Sequence, residues 1–232
     1  MTVLYVDMEH DLVLHDPVSG LAHRAGRERA QARVAAAAGE PCAVLGYGAI
    51  SAHSLQQVAP RAVVLSGNTT TWNQFAWDDL EGVLAVIRTA PVPILGICAG
   101  HQLIGHAHGA TWGPLGPLQE GEIDPDPRFA PGQRKERGFL PVQTGPHCPL
   151  FCGLGPTACF FQSHYWQLHD VPAEFIARAC SPWSPIQAIE HRDRLIFGVQ
   201  FHPERYDAAH PDGEAVLRNY FALVRDRYRV CP

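Results

Sequence analysis

Residues 92–102, Val92-Pro-Ile-Leu-Gly-Ile-Cys98-Ala-Gly-His-Gln102, decide the fold of this chain. A short apolar run ends in a cysteine that has a glycine two residues before it and two residues after it. Small residues at these positions let the chain turn sharply from a strand into a helix, which leaves the side chain between them on a strained elbow. At a helix N-terminus, the dipole and free N–H groups favour the thiolate. The segment therefore predicts a nucleophilic Cys98, with a buried core cysteine between packing glycines as the alternative.

Short apolar runs alternate with longer amphipathic segments on both sides of this elbow, which is typical of a parallel sheet with helices on both faces. We expect strands at Thr2–Val6, Cys42–Leu45, Ala62–Ser66, Val92–Ile97, Cys159–Gln162, Phe175–Ala179, Ile186–Glu190 and Leu195–Phe201. We expect helices over Ser19–Ala38, closed by Gly39, over Ala76–Thr89, directly after Cys98, and over Glu214–Tyr228. No repeat or linker is evident, so the sequence predicts a single domain over residues 1–232.

Two segments depart from this alternation. Pro114–Gly138 is rich in proline, glycine and charge, which favours an irregular excursion or an edge hairpin. We interpret it as a plain solvated loop in preference to a lid or a partner-facing surface. Thr69–Asn73 is a polar stretch with one tryptophan, which we interpret as a capped loop before a helix in preference to the lining of a substrate entrance.

The overall composition restricts the class of function. The chain has 18 Lys and Arg against 23 Asp and Glu, a net charge of −5, so it does not resemble a protein that binds nucleic acid or an anionic membrane. Its 7 cysteines are odd in number and irregularly spaced, which favours free thiols in a reducing compartment. The N-terminus lacks the basic region of a signal peptide, and the apolar runs are too short to span a membrane. We therefore expect a cytoplasmic protein.

A second segment, Leu195–Glu204, complements the cysteine elbow. It is an apolar strand that ends in His202-Pro203-Glu204, with a carboxylate two residues beyond the imidazole. This spacing suits a general base and the acid that orients it: His202 would take the thiol proton and later protonate the leaving group, while Glu204 holds the ring. Taken alone, the three residues could also be an ordinary turn after a strand.

Together, GICAGHQ at 96–102 and GVQFHPE at 198–204 resemble the two signature motifs of the class I glutamine amidotransferases, in the same order and at the same separation. The resemblance covers most of the chain. It implies a flavodoxin-like α/β fold with an open, mostly parallel sheet and a hydrolysable thioester intermediate. It also implies that Cys98 is the nucleophile, His202 the acid and base, and Glu204 its orienting acid.

The same resemblance assigns candidate substrate contacts. Gln102 matches the elbow glutamine that helps to hold the amino-acid end of the substrate. The segment containing Gln162, Ser163, His164 and Tyr165 resembles the Ser-His loop of glutaminase domains of the GMP synthase type, where groups near this pair contact the bound glutamine.

The oxyanion hole is where the sequence departs from the family. One donor is expected to be the amide of Ala99, and the other normally comes from a Gly-Gly-Pro turn. Here the turn is Ser66-Gly67-Asn68-Thr69, with Asn68 in place of the second glycine. Asparagine tolerates a left-handed backbone better than most residues, so we expect the turn at Gly67 and Asn68 to present an N–H group, although less freely. A missing donor costs about two to three orders of magnitude in rate, so low activity without a partner is expected.

Other signals do not indicate a metal or a cofactor. His106 and His108 would point to different faces of a helix, which argues against shared metal ligation. Cys148 and Cys152 lack a second pair of ligands at a zinc-site spacing. A glycine-rich phosphate loop of the GxxxxGK[ST] type is absent, so the sequence does not support nucleotide binding.

The sequence thus predicts hydrolysis of L-glutamine to glutamate and ammonia, with the ammonia passed to a separate synthase or ligase subunit. Two alternatives remain: a stand-alone γ-glutamyl hydrolase or amidase that uses the same triad, and a non-catalytic regulatory subunit. The sequence does not identify the acceptor of the ammonia.

Overall fold

One large sheet organises the part of the chain that the structure, a computed structural model, describes: residues 2–229 without the side chain of Arg229. Cys231, one of the expected free thiols, lies outside this part. The strands are β1 (Val3–Asp7), β2 (Cys42–Gly46), β3 (Ala62–Leu65), β4 (Ile94–Ile97), β5 (Trp112–Pro114), β6 (Glu136–Thr144), β7 (Thr157–His164), β8 (Trp166–Leu168), β9 (Phe175–Cys180), β10 (Ala188–His191) and β11 (Ile196–Val199).

The sheet has a parallel half and an antiparallel half. Its order is β2-β1-β3-β4-β11-β10-β9-β6-β7, and the first five of these strands are parallel neighbours. From β11 onward each neighbour pairs in the antiparallel direction, and β5 and β8 form a separate antiparallel pair. The strand of the elbow, β4, therefore lies next to β11, the strand that carries the second motif.

Helices cover both faces of the parallel half: α1 (Asp11–Leu14), α2 (Ser19–Ala38), α3 (Ala52–Val58), α4 (Trp77–Thr89), α5 (Ala99–Ala107) and α6 (Asp212–Arg229). In β1, Val3 and Tyr5 pack with α2 and α6, whereas Leu4 and Val6 pack with α4 and α5. Each fully buried large apolar side chain contributes about 1.5–3 kcal/mol to folding. This burial on both faces confirms the predicted flavodoxin-like α/β class.

Local sequence signals explain several helix ends. Helix α2 ends where Gly39 takes a left-handed backbone with φ 68°, and the Gly39 N–H donates to the Ala35 carbonyl at 2.9 Å, as predicted. Helix α4 has Asp78 and Asp79 in its first turn and Arg88 in its last, which suits the helix dipole. No helix in residues 2–229 is long and apolar enough to cross a membrane.

The interpretation of Pro114–Gly138 as a plain solvated loop is wrong at its C-terminal end. The segment is irregular from 115 to 135, as predicted, but β6 begins at Glu136, and Lys135 is 1% exposed. Lys135 is the only lysine of the chain. Its ammonium group pairs with Asp124 at 2.7 Å and donates to the carbonyls of Asp126 and Phe129. Three acceptors around a compact ammonium satisfy a charge that would otherwise not be buried.

Candidate active site

Cys98 lies on the predicted elbow, between β4 and α5. Its backbone has φ 51° and ψ −102°, a strained conformation for a residue with a side chain. A Cβ on Gly96 would lie 2.6 Å from backbone atoms of Gly100, and one on Gly100 would lie 2.6 Å from Leu65. The two glycines are therefore required by the close packing of α5 against β3 and β4, and this packing holds the elbow.

His202 reaches Cys98 because of strand register. Gly96 of β4 pairs with Gly198 of β11, so the carboxyl ends of these parallel strands bring the residues that follow them together. The His202 backbone N–H donates to the Phe161 carbonyl at 2.8 Å. The ring Nδ1 lies 2.7 Å from Oε1 of Glu204, which is 7% exposed in the short 3-10 turn Pro203–Arg205.

The surroundings of His202 favour its charged form. Burial alone would lower the pKa of its imidazole, but the Glu204 carboxylate and the Cys98 sulfur outweigh burial and raise the pKa to about 10. Its Nε2 is buried on the side of Cys98, without a formed hydrogen bond. Such bonds often tighten only when substrate is present. The arrangement is that of a nucleophilic sulfur beside an imidazolium that a carboxylate orients.

The turn at Gly67 packs directly against Cys98 and His202. A Cβ on Gly67 would lie 2.7 Å from His202 Cε1 and 3.3 Å from Cys98 Cβ. Neither Gly67 nor Asn68 is among the positive-φ residues of the described chain, so this turn does not need the backbone freedom of a second glycine. The Asn68 Nδ2 is buried without an acceptor in residues 2–229, which leaves it available to a ligand.

A small, partly open cavity lies at Cys98. Its volume is about 30 Å³, which is enough for a water molecule or two but not for a whole amino acid. Its lining includes predicted residues and several that were not predicted: Asn68, Thr69, Thr70, Thr71, Trp72, Cys98, Gln102, Phe129, Ser163, His164, Tyr165 and Trp166.

With this geometry in place, comparison with known proteins identifies the family. A family model described as class I glutamine amidotransferase matches residues 26–223. The chain belongs to the class I glutamine amidotransferases.

Two curated relatives of this amidotransferase are each described as the A subunit of a glutamine-hydrolysing GMP synthase. The one from Pyrococcus abyssi is 30% identical over 169 residues, which are 73% of this chain and 78% of the relative. The one from Methanothermobacter thermautotrophicus is 30% identical over 172 residues, 68% of this chain and 82% of the relative. A solved Thermoplasma acidophilum protein, provisionally assigned as the same GMP synthase component, aligns with a TM-score of 0.73 at 22% identity, over 99% of this chain and 96% of its own. That last likeness supports the fold alone.

The structure separates the predicted substrate contacts of the amidotransferase into two groups. Gln102, Ser163, His164 and Tyr165 line the cavity. Gln162 does not reach it: this side chain is fully buried and donates to Gln187 Oε1 at 3.0 Å. Gln162 lies on the same face of β7 as His164 but two residues further from the end of the strand, and its amide is tied to Gln187, so the structure does not place it in the cavity.

Two of the cavity residues are already held by internal hydrogen bonds. Both ring nitrogens of His164 face acceptors, the Trp166 carbonyl at 2.9 Å and the Glu136 carboxylate at 2.8 Å. The Gln102 amide nitrogen donates to the Trp166 carbonyl and to Gln200 Oε1, both at 3.0 Å. Both amide hydrogens of Gln102 are therefore used, and its side chain can meet a substrate only through the remaining lone pair of its oxygen.

A wider cleft of about 740 Å³ adjoins this cavity, and His202 and Glu204 line it. Helix α2 supplies Arg27, Arg29 and Arg33 to this cleft, and Arg205 lines it as well. The Arg33 guanidinium donates to the Glu204 carbonyl at 2.6 Å. Asn68, Thr69 and Ser163 line both spaces, so Cys98 and His202 lie where a small cavity meets a wide cleft with several cationic side chains.

Sequence reasoning missed several residues of this site. Gln200 donates to the Cys98 sulfur at 3.5 Å, and it was visible inside the motif GVQFHPE without an assigned role. Thr69–Asn73 does precede a helix, but Trp72 is buried and lines the cavity. Phe129 lines the cavity from the segment that was interpreted as solvated.

The weaker sequence signals lie elsewhere. His106 stacks on Trp112 with ring centroids 4.6 Å apart, and His108 packs edge-on against Phe175. Within residues 2–229, no three His, Cys, Asp or Glu side chains are grouped so that they could hold a metal ion. Cys148 and Cys152 are free thiols.

Proposed function

We propose that this class I amidotransferase hydrolyses the side-chain amide of L-glutamine in a single domain, through a thioester at Cys98. The observation that carries the proposal is the position of His202, between the Cys98 sulfur and the Glu204 carboxylate. The sulfur attacks the amide carbon, and the carbonyl oxygen becomes an oxyanion. His202 then gives its Nε2 proton to the leaving nitrogen, and ammonia departs. In the second half, water loses a proton to His202 and attacks the thioester, which releases glutamate and restores the thiol.

We further propose that the oxyanion is held between the start of α5 and the turn over Cys98. Ala99 is the first residue of α5, where backbone N–H groups lack partners within the helix. The turn at Gly67 and Asn68 packs against Cys98, and it offers the buried Asn68 Nδ2 besides its backbone. Removal of one such donor typically lowers kcat by about 10²- to 10³-fold.

We propose that the ammonia passes to a separate synthase or ligase subunit. The relatives described as the A subunit of GMP synthase support an acceptor of this kind. The wide cleft lined by His202 supports it as well, because His202 is the group that protonates the leaving nitrogen. The six described cysteines are free thiols, which supports a reducing compartment such as the cytoplasm.

The test is ammonia release from L-glutamine by the wild type, Cys98→Ala and Cys148→Ala, each alone and after copurification with its cellular partners. Cys148 is a matched control because it is 5% exposed and burial raises the pKa of its thiol to about 11, so it stays protonated. We expect Cys98→Ala to abolish activity and Cys148→Ala to retain it. Hydroxylamine should divert the wild-type reaction to γ-glutamyl hydroxamate, since it attacks a thioester. Equal behaviour of the wild type and Cys98→Ala under every condition would refute the mechanism.

A second candidate is a stand-alone γ-glutamyl hydrolase with a larger leaving group. The width of the cleft beside His202 favours it, since a bulky amine could leave through that space. Rapid turnover of a γ-glutamyl anilide by the isolated chain, with poor turnover of glutamine, would select this function. A non-catalytic regulatory role would instead require that a glutamine-derived electrophile leave Cys98 unlabelled even with the partner present.

A further inference from the structure

A chain of three side-chain hydrogen bonds ends on the Cys98 sulfur. The Trp72 indole Nε1 donates to Gln102 Oε1 at 2.9 Å, and Gln102 Nε2 donates to Gln200 Oε1 at 3.0 Å. Gln200 Nε2 then donates to Cys98 Sγ at 3.5 Å. Exposure is 5% for Trp72, 3% for Gln102 and 0% for Gln200, so water does not compete for these bonds.

The donor and acceptor groups that contact Gln102 fix the direction of this series of hydrogen bonds. An indole nitrogen can only donate and a backbone carbonyl can only accept. Trp72 therefore requires the oxygen of Gln102 on its side, and the Trp166 carbonyl, 3.0 Å from Gln102 Nε2, requires the nitrogen on the other. With the Gln102 nitrogen pointing at Gln200, the Gln200 oxygen must face it. The only group that Gln200 can then present to the sulfur is an N–H.

We propose that Gln200 is a catalytic hydrogen-bond donor to the Cys98 thiolate and that Trp72, acting through Gln102, is the positioning residue that keeps this donor aimed at the sulfur. The proposal rests on the proposed role of Cys98 as the nucleophile. It gives Trp72, which belongs to the unusual Thr69–Asn73 segment, a role in the reaction.

A donor at this place acts on the charged form of the sulfur. A thiolate accepts a hydrogen bond much more strongly than a thiol does, so the Gln200 N–H favours the thiolate. His202, oriented by Glu204, is the charged partner of the same sulfur, so imidazolium and amide stabilise the anion together. Loss of the amide removes one of the groups that stabilise the anion and leaves the triad intact.

The test is the rate of Cys98 alkylation by iodoacetamide across pH, followed by mass spectrometry of the Cys98 peptide, in the wild type and in Gln200→Met. Loss of one donor to a charged group displaces the rate profile by about one to two pH units toward higher pH. A more basic thiolate is also a better nucleophile. On the rising part of the profile, we therefore expect alkylation to slow by a net factor of about 3 to 10.

The direction of the change separates this role from a merely structural one. Cys98 is 4% exposed, so a variant that only loosens the site would expose the sulfur and speed its alkylation. Gln31→Met is the matched control: it removes an amide that donates to the Cys42 carbonyl at 2.6 Å, and the Cys98 profile should not move.

Trp72→Phe supplies a second variant that keeps an aromatic ring in place. It removes only the indole donor, and the Trp166 carbonyl still holds the Gln102 nitrogen, so we expect a displacement in the same direction as in Gln200→Met but smaller. An unchanged or accelerated alkylation in both variants would overturn the proposal. Alkylation needs neither glutamine nor a partner. If the wild type showed this reactivity but released no ammonia even with its cellular partners, the proposed glutamine hydrolysis would fail while the hydrogen bond from Gln200 to the Cys98 thiolate stood.

Discussion

Gly67→Ala tests the geometry of the site with a single methyl group. The new Cβ would lie 2.7 Å from His202 Cε1 and 3.3 Å from Cys98 Cβ. Two carbon atoms are comfortable at about 3.5–4.0 Å, so the ring and the methyl must separate by about 0.8–1.3 Å. Nδ1 of His202 is tied to Glu204 at 2.7 Å, so a ring that moves by this amount also strains that hydrogen bond. A displacement of about 1 Å typically costs about 10²-fold in rate.

We therefore expect Gly67→Ala to lower kcat for glutamine about 100-fold, with little change in KM because Gly67 does not line the cavity at Cys98. Kinetics should be measured in the same state, free or partnered, in which the wild type is active. Overpacking costs about 1–3 kcal/mol, so the variant should still fold. Gly46→Ala is the matched control, because a Cβ there meets nothing within 4 Å. A folded Gly67→Ala enzyme with wild-type kcat would refute the placement of His202 against this turn.

Two further predictions follow from the charged pairs of the structure. The pKa of His202 is raised to about 10 in the folded protein from about 6.5 in an unfolded chain, so its contribution to stability is fully present below about pH 6.5 and is lost as the pH rises through 10. The wild-type Tm should therefore fall between these limits more steeply than that of Glu204→Gln, and parallel curves would contradict the pairing. Lys135→Arg keeps the charge, but a planar guanidinium cannot reproduce three donors directed at Asp124 and two carbonyls. Trypsin should cleave this variant faster at Arg128, whereas unchanged cleavage would show that Lys135 does not hold the segment.

The sequence predicted the positions of Cys98 and His202 well because these positions depend on local patterns. The elbow follows from Gly96 and Gly100 around Cys98, and the closeness of Cys98 and His202 follows from strands that end in the same direction. The predicted helix Ser19–Ala38 has the observed bounds, since Gly39 marks its end unambiguously.

Strand β6 and helix α3 were not predicted from the sequence. Strand β6 begins among charged residues and contains Pro141, which a central strand would not tolerate. The strand accommodates it because β6 pairs with β9 only at Gln143 and Thr144, so its other edge is free at Pro141. Helix α3 is 7 residues long, too short for a clear apolar period. The contacts that decide β6 come from β7 and β9, which lie further along the chain.

No local pattern predicts the shape of the cavity at Cys98 either. Its 30 Å³ is too small for an amino acid, so a substrate either extends out of it or displaces part of its lining. Thr69 and Thr70 are tied to the Glu9 carboxylate, and Gln102 is tied to Trp72, Trp166 and Gln200. The Phe129 ring contacts Tyr165 at 5.4 Å and the Arg137 guanidinium at 5.1 Å, while its carbonyl accepts from Lys135. A phenyl ring makes no hydrogen bond of its own, so rotation of Phe129 enlarges the cavity without breaking one, and Lys135 limits how far its backbone can follow.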